Sequence, residues 1–240
     1  MADFISLPFY DLVHENGHVP GIREKLPPIL AGVKRSILEI GAGTGLITTS
    51  LAEWTSAEIF ALEPSAGMRG VLLSRLTARP ELLKRVTVLP YDALSLDLDE
   101  PVEAMVMINV LYALEPGYRR RLWPVLAGRL EPGGLLVFTW RGGDAPAPHP
   151  LEKLDSHQVG RHTYSVFAEI LETDAEALKC RYLYQVTQGD KVIDEEEIIG
   201  HAYRPRWETL QGELVGAGFV QADAPEGLLA WRLARGPESP

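Results

Sequence analysis

The chain has 240 residues, 46% of them apolar, a formal net charge of −10 and one cysteine. That length holds one α/β domain with a full core, or one domain plus an insertion. The charge opposes the phosphate contacts that dominate nucleic-acid affinity, no uninterrupted apolar run reaches membrane-spanning length, and the lone Cys180 leaves no internal disulfide framework or multi-cysteine metal site.

The first segment, "MADFISLPFYDLVHENG", carries acids instead of a basic leader, which points to a cytoplasmic chain. Residues 1–34 are expected to be helical. From residue 36 strands and helices alternate: strand 36–41, helix 46–54, strand 57–63, helix 66–77, strand 86–90, strand 102–109, helix 118–130, a turn at "EPGG", strand 135–140. This order predicts an α/β fold, a doubly wound, seven-stranded, mostly parallel sheet. The Gly/Pro-rich stretch 142–150 is expected to be loop. Residues 162–202 turn β-rich, with "QGD" joining the last two segments, and predict a small three-stranded antiparallel insert after the fifth strand. A helix over 206–217 and a closing hairpin return to the main sheet, and "GPESP" reads as a frayed tail. The organisation expected is therefore a lid over 1–34, a core over 35–143, a loop plus insert over 144–204, and a closing unit over 205–235. The basic run Arg119-Arg120-Arg121 is expected to be a solvated helix face.

Residues 37–52, "ILEIGAGTGLITTSLA", hold the strongest local signal. Glu39 nears the end of the first strand, and Gly41, Gly43 and Gly45 form the turn into the next helix. Ligands of such sheets sit at the carboxyl ends of the strands. A dinucleotide fingerprint requires a glycine at position 46, where this chain has Leu, and a pyrophosphate is repelled by a carboxylate placed like Glu39. S-adenosylmethionine (SAM) carries no phosphate, and its ammonium and sulfonium are attracted there. Glu63 ends the second strand, where an acid accepts from ribose hydroxyls, and Asp92 follows the third, beside Ala93, where it meets an adenine amino group.

"ILEIGAGTG", "FALEPSAGM", "VLPYDAL" and "LEPGGLLVF" together resemble the ordered motifs of class I SAM-dependent methyltransferases. The resemblance covers residues 35–141 and the closing helix and hairpin. It implies a Rossmann-like methyltransferase fold that binds SAM, with S-adenosylhomocysteine as product, through Glu39, Gly41, Ala42, Gly43, Gly45, Glu63, Pro64, Met68, Asp92, Ala93 and Asn109. No metal is expected, because the Asp and Asp-Asn pair of catechol-type enzymes are missing. "NVLY" after the fourth strand lacks the prolines of amino-methyltransferases that act on DNA.

The chain is similar to the small-molecule branch of natural-product and amino-sugar metabolism. This implies a small-molecule substrate, no nucleic-acid or membrane partner, and an insert that roofs the pocket and joins a homodimer. Tyr10 resembles the lid tyrosine of such enzymes, with His14 one turn on. Tyr10, His14, Tyr112, Trp140, Tyr203 and Arg204 are the candidate substrate contacts, and Arg141 could hold an anionic group or be solvated. Tyr10 and His201 are the candidate proton acceptors; histidine ordinarily titrates near neutrality. The rival readings are a SAM-binding fold without transfer activity, acting as a partner subunit or non-methylating cyclase, and a nicotinamide-dependent oxidoreductase.

Overall fold

The computed structural model describes residues 6–143 and 145–235, so the "GPESP" tail lies outside the described residues. Two helices come first, α1 (Leu7–Asn16) and α2 (Val19–Leu30). The core follows as β1 (Ser36–Ile40), α3 (Leu46–Trp54), β2 (Glu58–Leu62), α4 (Ala66–Thr77), β3 (Val86–Leu89), β4 (Val102–Met107), α5 (Pro116–Ala127) and β5 (Leu130–Thr139). An insert of β6 (His149–Val159), β7 (His162–Thr173), β8 (Ala177–Gln188) and β9 (Lys191–Tyr203) precedes α6 (Trp207–Gly216), β10 (Phe219–Ala222) and β11 (Leu228–Leu233).

The main sheet has seven strands in the order β10-β11-β5-β4-β1-β2-β3, parallel except where β11 meets β5 and β10. Its central strands β1, β4 and β5 are mostly apolar, with Glu39 an exception in the interior, because both faces are covered. Successive side chains alternate between them. Ile37, Ala104 and Val137 face a layer that includes Leu26, Leu30 and Leu51, whereas Leu38, Met105 and Phe138 face Leu122, Trp123, Leu210 and Leu214. Glu39 belongs to the first face and points at α3.

The insert is a four-stranded antiparallel sheet, β6-β7-β8-β9. The expected loop ends earlier than its composition suggests, since β6 begins at His149 and adds a fourth strand. β6 is an edge strand and is largely exposed, so its proline and charges are tolerated. Its mixed composition carries little of the alternation that marks a half-buried strand. Helix α5 stops at Ala127, and "EPGG" becomes the start of β5, with Gly133 at φ +79 and a register shift opposite Val102 and Ala104.

The basic run divides. Arg120 and Arg121 are exposed, but Arg119 has 0% of its surface accessible. Its Nε donates to Glu213 Oε2 at 2.7 Å and its Nη2 to Glu213 Oε1 at 2.9 Å, while Trp123 Nε1 donates to the same carboxylate at 3.0 Å. Glu176, in the β7–β8 turn, lies 3.4 Å away and ties the insert to α5. A guanidinium in this position is tolerated because its fork meets a carboxylate in two places. Glu213→Ala leaves that buried charge with only the longer Glu176 contact, and chemical denaturation should show a loss of about 3 kcal/mol. The paired replacement Arg119→Met with Glu213→Leu should lose much less.

Candidate functional site

Three carboxylates stand at the carboxyl ends of β1, β2 and β3. Glu39 is 2% exposed and accepts from the Thr48 hydroxyl, which reaches across from the first turns of α3 at 2.5 Å. Burial pushes its carboxyl up to about 8; the Thr48 bond opposes this and the Glu63 charge adds to it. Glu63, 6% exposed, accepts from the Gly43 N–H at 2.9 Å and the Ser65 N–H at 2.8 Å, so one carboxylate ties the glycine turn to the start of α4. Pro64 and Met68 line that first turn, and Arg69 donates to the Glu63 and Pro64 carbonyls. Asp92 caps a short 3-10 turn through the Leu94 N–H and accepts from the Tyr118 hydroxyl at 2.8 Å, with Ala93 buried beside it.

The turn glycines serve different neighbours. All three have positive φ. A Cβ on Gly41 would run into Val110 and one on Gly45 into Leu72, so these two answer to strand and helix packing. Gly43 alone faces the cleft, where a Cβ would stand 2.9 Å from the Tyr10 hydroxyl. Ala42 is buried, and its N–H joins that of Gly41 on the Leu62 carbonyl.

Helix α1 closes over this turn. Asp11 accepts from the Thr44 hydroxyl and from Arg75, and Arg75 donates to the Thr44 carbonyl, which latches helix, turn and α4 together. Tyr10 is held above the turn, its hydroxyl pushed well above the usual range by burial and by the charges of Glu39, Glu63 and Asp11. Its ring meets His14 edge-on at 4.3 Å, and His14 meets His18 at 4.7 Å. His18 Nε2 lies 2.6 Å from the Asn109 amide nitrogen. The Asn109 oxygen accepts from Thr139, so the amide N–H donates to His18 and the neutral ring carries its proton on Nδ1. Asn109 holds this place with φ 57 at the end of β4. Burial, with the Arg141 charge and at His18 also the neighbouring His14, holds both histidines down to about 4.

Arg141 follows β5, its guanidinium carbon 5.5 Å from the centre of the Tyr112 ring. Burial pushes the Tyr112 hydroxyl up to about 12, against the charges of Arg141 and Arg204. Arg204 donates to the Gly142 carbonyl at 3.2 Å. Tyr10, His14, Asn109, Tyr112 and Arg204 thus gather around one cleft, joined by Arg141.

The remaining candidates are placed differently. Trp140 packs against Trp207 at 5.5 Å and donates to the Pro205 carbonyl, as part of the core. Tyr203 is half-buried at the end of β9. His201 is exposed and pairs across the sheet with Lys179, beside Glu172, away from the Tyr10–His18 row. Reading residue by residue missed His18, Thr48 and Tyr118. The four-residue spacing of Tyr10, His14 and His18 was the available signal for the first; the other two contribute polar atoms that only the fold brings near Glu39 and Asp92.

Residues 37–134 match the family model described as a methyltransferase domain. Sequence relatives include an uncharacterized methyltransferase of Mycobacterium tuberculosis and one of Mycobacterium bovis, each 30% identical over 142 residues, or 58% of this chain and 54% of the relative. The chain spans about half the length of the curated relatives it matches. Among solved structures it is similar to DesVI of Streptomyces venezuelae (TM-score 0.76, 16% identity, 95% of this chain and 98% of that one). It is similar also to the SAM-bound amino pentose methyltransferase CalS10 of Micromonospora echinaspora (0.76, 15%, 98% and 99%) and the sugar N-methyltransferase KedS8 of a Streptoalloteichus species (0.75, 17%, 98% and 95%). At these identities the likeness shows the fold, which is that of Rossmann-like methyltransferases. Among the described residues no group of three or more His, Cys, Asp or Glu could hold a metal ion, and no helix is long and apolar enough to cross a membrane.

The buried titratable groups set opposite slopes of stability against pH. Folded Glu39 keeps its proton to about 8 while the unfolded side chain loses it near 4.5, so stability falls as pH rises through that window. His14 and His18 take up protons near 6.5 when unfolded and near 4 when folded, so stability falls as pH drops through that range. The windows overlap below 6.5, where two histidines outweigh one carboxyl, so the thermal midpoint should rise to a maximum near pH 6.5 and fall toward 8. Glu39→Gln keeps an acceptor for Thr48, and should abolish the decline toward pH 8 and raise Tm above it. A flat wild-type profile from neutrality to pH 9, or an unchanged decline in the variant, would contradict this account.

Proposed function

We propose that the chain transfers a methyl group from SAM to a nucleophilic atom of a small molecule, with S-adenosylhomocysteine as the other product. One observation carries the reading: carboxylates stand at three consecutive strand ends, and one of them, Glu63, holds the N–H of the one turn glycine that faces the cleft. This array suits a cofactor with a positive reactive end and a ribose, and its strands β1 to β4 fall within the stretch matched as a methyltransferase domain.

In this reading Glu39 balances the ammonium, directly or through water, Glu63 accepts from the ribose hydroxyls, and Asp92 with Ala93 meets the adenine. Gly41, Ala42, Gly43 and Gly45 shape the turn, Pro64 and Met68 flank the ribose side, and Tyr10 closes above. The acceptor's lone pair forms the bond to the methyl carbon as the carbon–sulfur pair returns to sulfur. The leaving group is neutral, so the protein's work is alignment and exclusion of water. His14 and His18 stay uncharged at neutral pH and therefore place no cation against the sulfonium. A proton lost by an amine or hydroxyl acceptor passes to the neutral His14 ring or to water, since Tyr10 keeps its own proton and both nitrogens of His18 are engaged. Asn109 and Tyr112 bound the methyl-transfer point. The sugar N-methyltransferases of the same fold favour a natural-product or amino-sugar acceptor. The proposal extends to a cytoplasmic homodimer joined through the insert, whose sheet exposes Leu154, Ile193 and Ile199.

Thermal shift tests the cofactor. SAM and S-adenosylhomocysteine at a hundredfold over Kd should each stabilise by about 2.7 kcal/mol, and NADH should not; equal stabilisation by NADH would sink the reading. Transfer of labelled methyl from SAM into a metabolite extract tests activity.

A second measurement addresses Glu39. Its folded carboxyl is protonated below about pH 8, so taking up a cationic cofactor at neutrality should release close to one proton. Calorimetry in buffers of different ionisation enthalpy reads this directly. Glu39→Gln should abolish the release and weaken SAM binding roughly tenfold or more.

A further inference from the structure

We propose that the acceptor carries an oxyanion group, a carboxylate or a phosphate, and that Arg141 and Arg204 read it across the face of Tyr112. The proposal rests on the methyltransferase reading of the cleft and adds the charge class of what enters beside the cofactor.

What sets these two guanidiniums apart is not the lack of an ion pair, which Arg69, Arg85, Arg121 and Arg232 share among the described residues, but their place beside one buried ring. Arg23, Arg35, Arg75, Arg79, Arg119, Arg129, Lys179 and Arg181 each pair with a carboxylate. Arg141 and Arg204 pair with none among the described residues, in a protein with ten more acids than bases. They converge on one ring: Arg141 stacks on Tyr112, and both charges act on its hydroxyl. That hydroxyl is buried; the Arg141 backbone N–H acts on its oxygen, and among the described residues its own O–H finds no acceptor. A buried hydroxyl without an acceptor, beside one stacked guanidinium and within the field of a second, is a polar receptor short of an acceptor atom.

The surroundings suit an anion. Tyr182 and the His14–His18 row, which also feel Arg141, are uncharged near neutrality and add no competing charge of their own. The carboxylates Glu39, Glu63 and Asp92 gather instead at the ends of β1 to β3. A net charge of −10 repels anions at long range, so local cations are needed to hold one. The flat guanidinium on Tyr112 also offers a platform for a ring that bears the anion.

The test uses full-length protein saturated with S-adenosylhomocysteine, and three probes read by ligand-observed NMR titration: phenyl phosphate, benzoate and neutral benzamide. An anionic probe should bind at least about tenfold tighter than benzamide, and tighter phenyl phosphate or tighter benzoate identifies the group as phosphate or carboxylate. Arg141→Ala and Arg204→Ala should each weaken the anions about five- to twentyfold, with benzamide and S-adenosylhomocysteine binding unchanged. Arg141→Lys keeps the charge and should recover part of the loss, which excludes misfolding as its cause. Equal binding of benzamide and the anions, or anion binding untouched by both alanine variants, would overturn the proposal. Failure of the wild type to bind S-adenosylhomocysteine while the anion still binds would instead overturn the methyltransferase reading alone.

Discussion

A carboxylate shut away from water lies beneath the turn on which the site is built. Glu39 meets one hydroxyl, from Thr48, and feels the repulsion of Glu63. Two acids at adjoining strand ends leave this part of the protein short of positive charge. What lies around it follows from that shortage. Glu63 spends its oxygens on the Gly43 and Ser65 N–H groups, Asp11 on Thr44 and Arg75, and Asp92 on Leu94 and Tyr118. Each acid is held in place by donors that are mostly neutral, and Glu39 answers the crowding by keeping its proton to about pH 8, a proton that a cationic ligand would displace.

The cleft sorts charge along its length. Acids stand at one end, neutral aromatic and imidazole rings in the middle, and guanidiniums at the other. The middle matters because a protonated histidine there would shorten the distance between opposite charges and blur the division. Burial keeps His14 and His18 neutral, and Asn109 fixes the tautomer of His18. The left-handed backbone of Asn109 is part of that arrangement, since it turns the amide at the end of β4 toward both Thr139 and His18.

Much of the fold could be read from local pattern. Strands such as "VEAMVM" are apolar on both faces, which only a sheet covered on both sides requires, and the acids at 39, 63 and 92 recur just where strands end. What could not be read is non-local. Glu213 finds Arg119 across 94 residues, so a charge that looked solvated is part of the core. Strand β6 is stabilised by pairing with β7 at its edge, not by its own apolar alternation. Trp140 at a rim position turned inward because Trp207 and Trp231 offered it a stack. His201 had the right chemistry in the wrong direction: strand alternation put it on the face with Lys179.

Helix α1 is bonded on opposite sides to different bodies. Phe9 and Val13 press into Tyr164, Val166 and Tyr184 of the insert, with ring separations of 5.2 and 5.1 Å for Phe9. Tyr10 and Asp11 are committed to the turn on the other side. Such a helix has no independent hinge. Uncovering the turn means either stripping an aromatic side chain from the insert or swinging that sheet along with it. Opening above the turn and displacement of the insert sheet are thereby one mechanical event, carried by a single ten-residue rod.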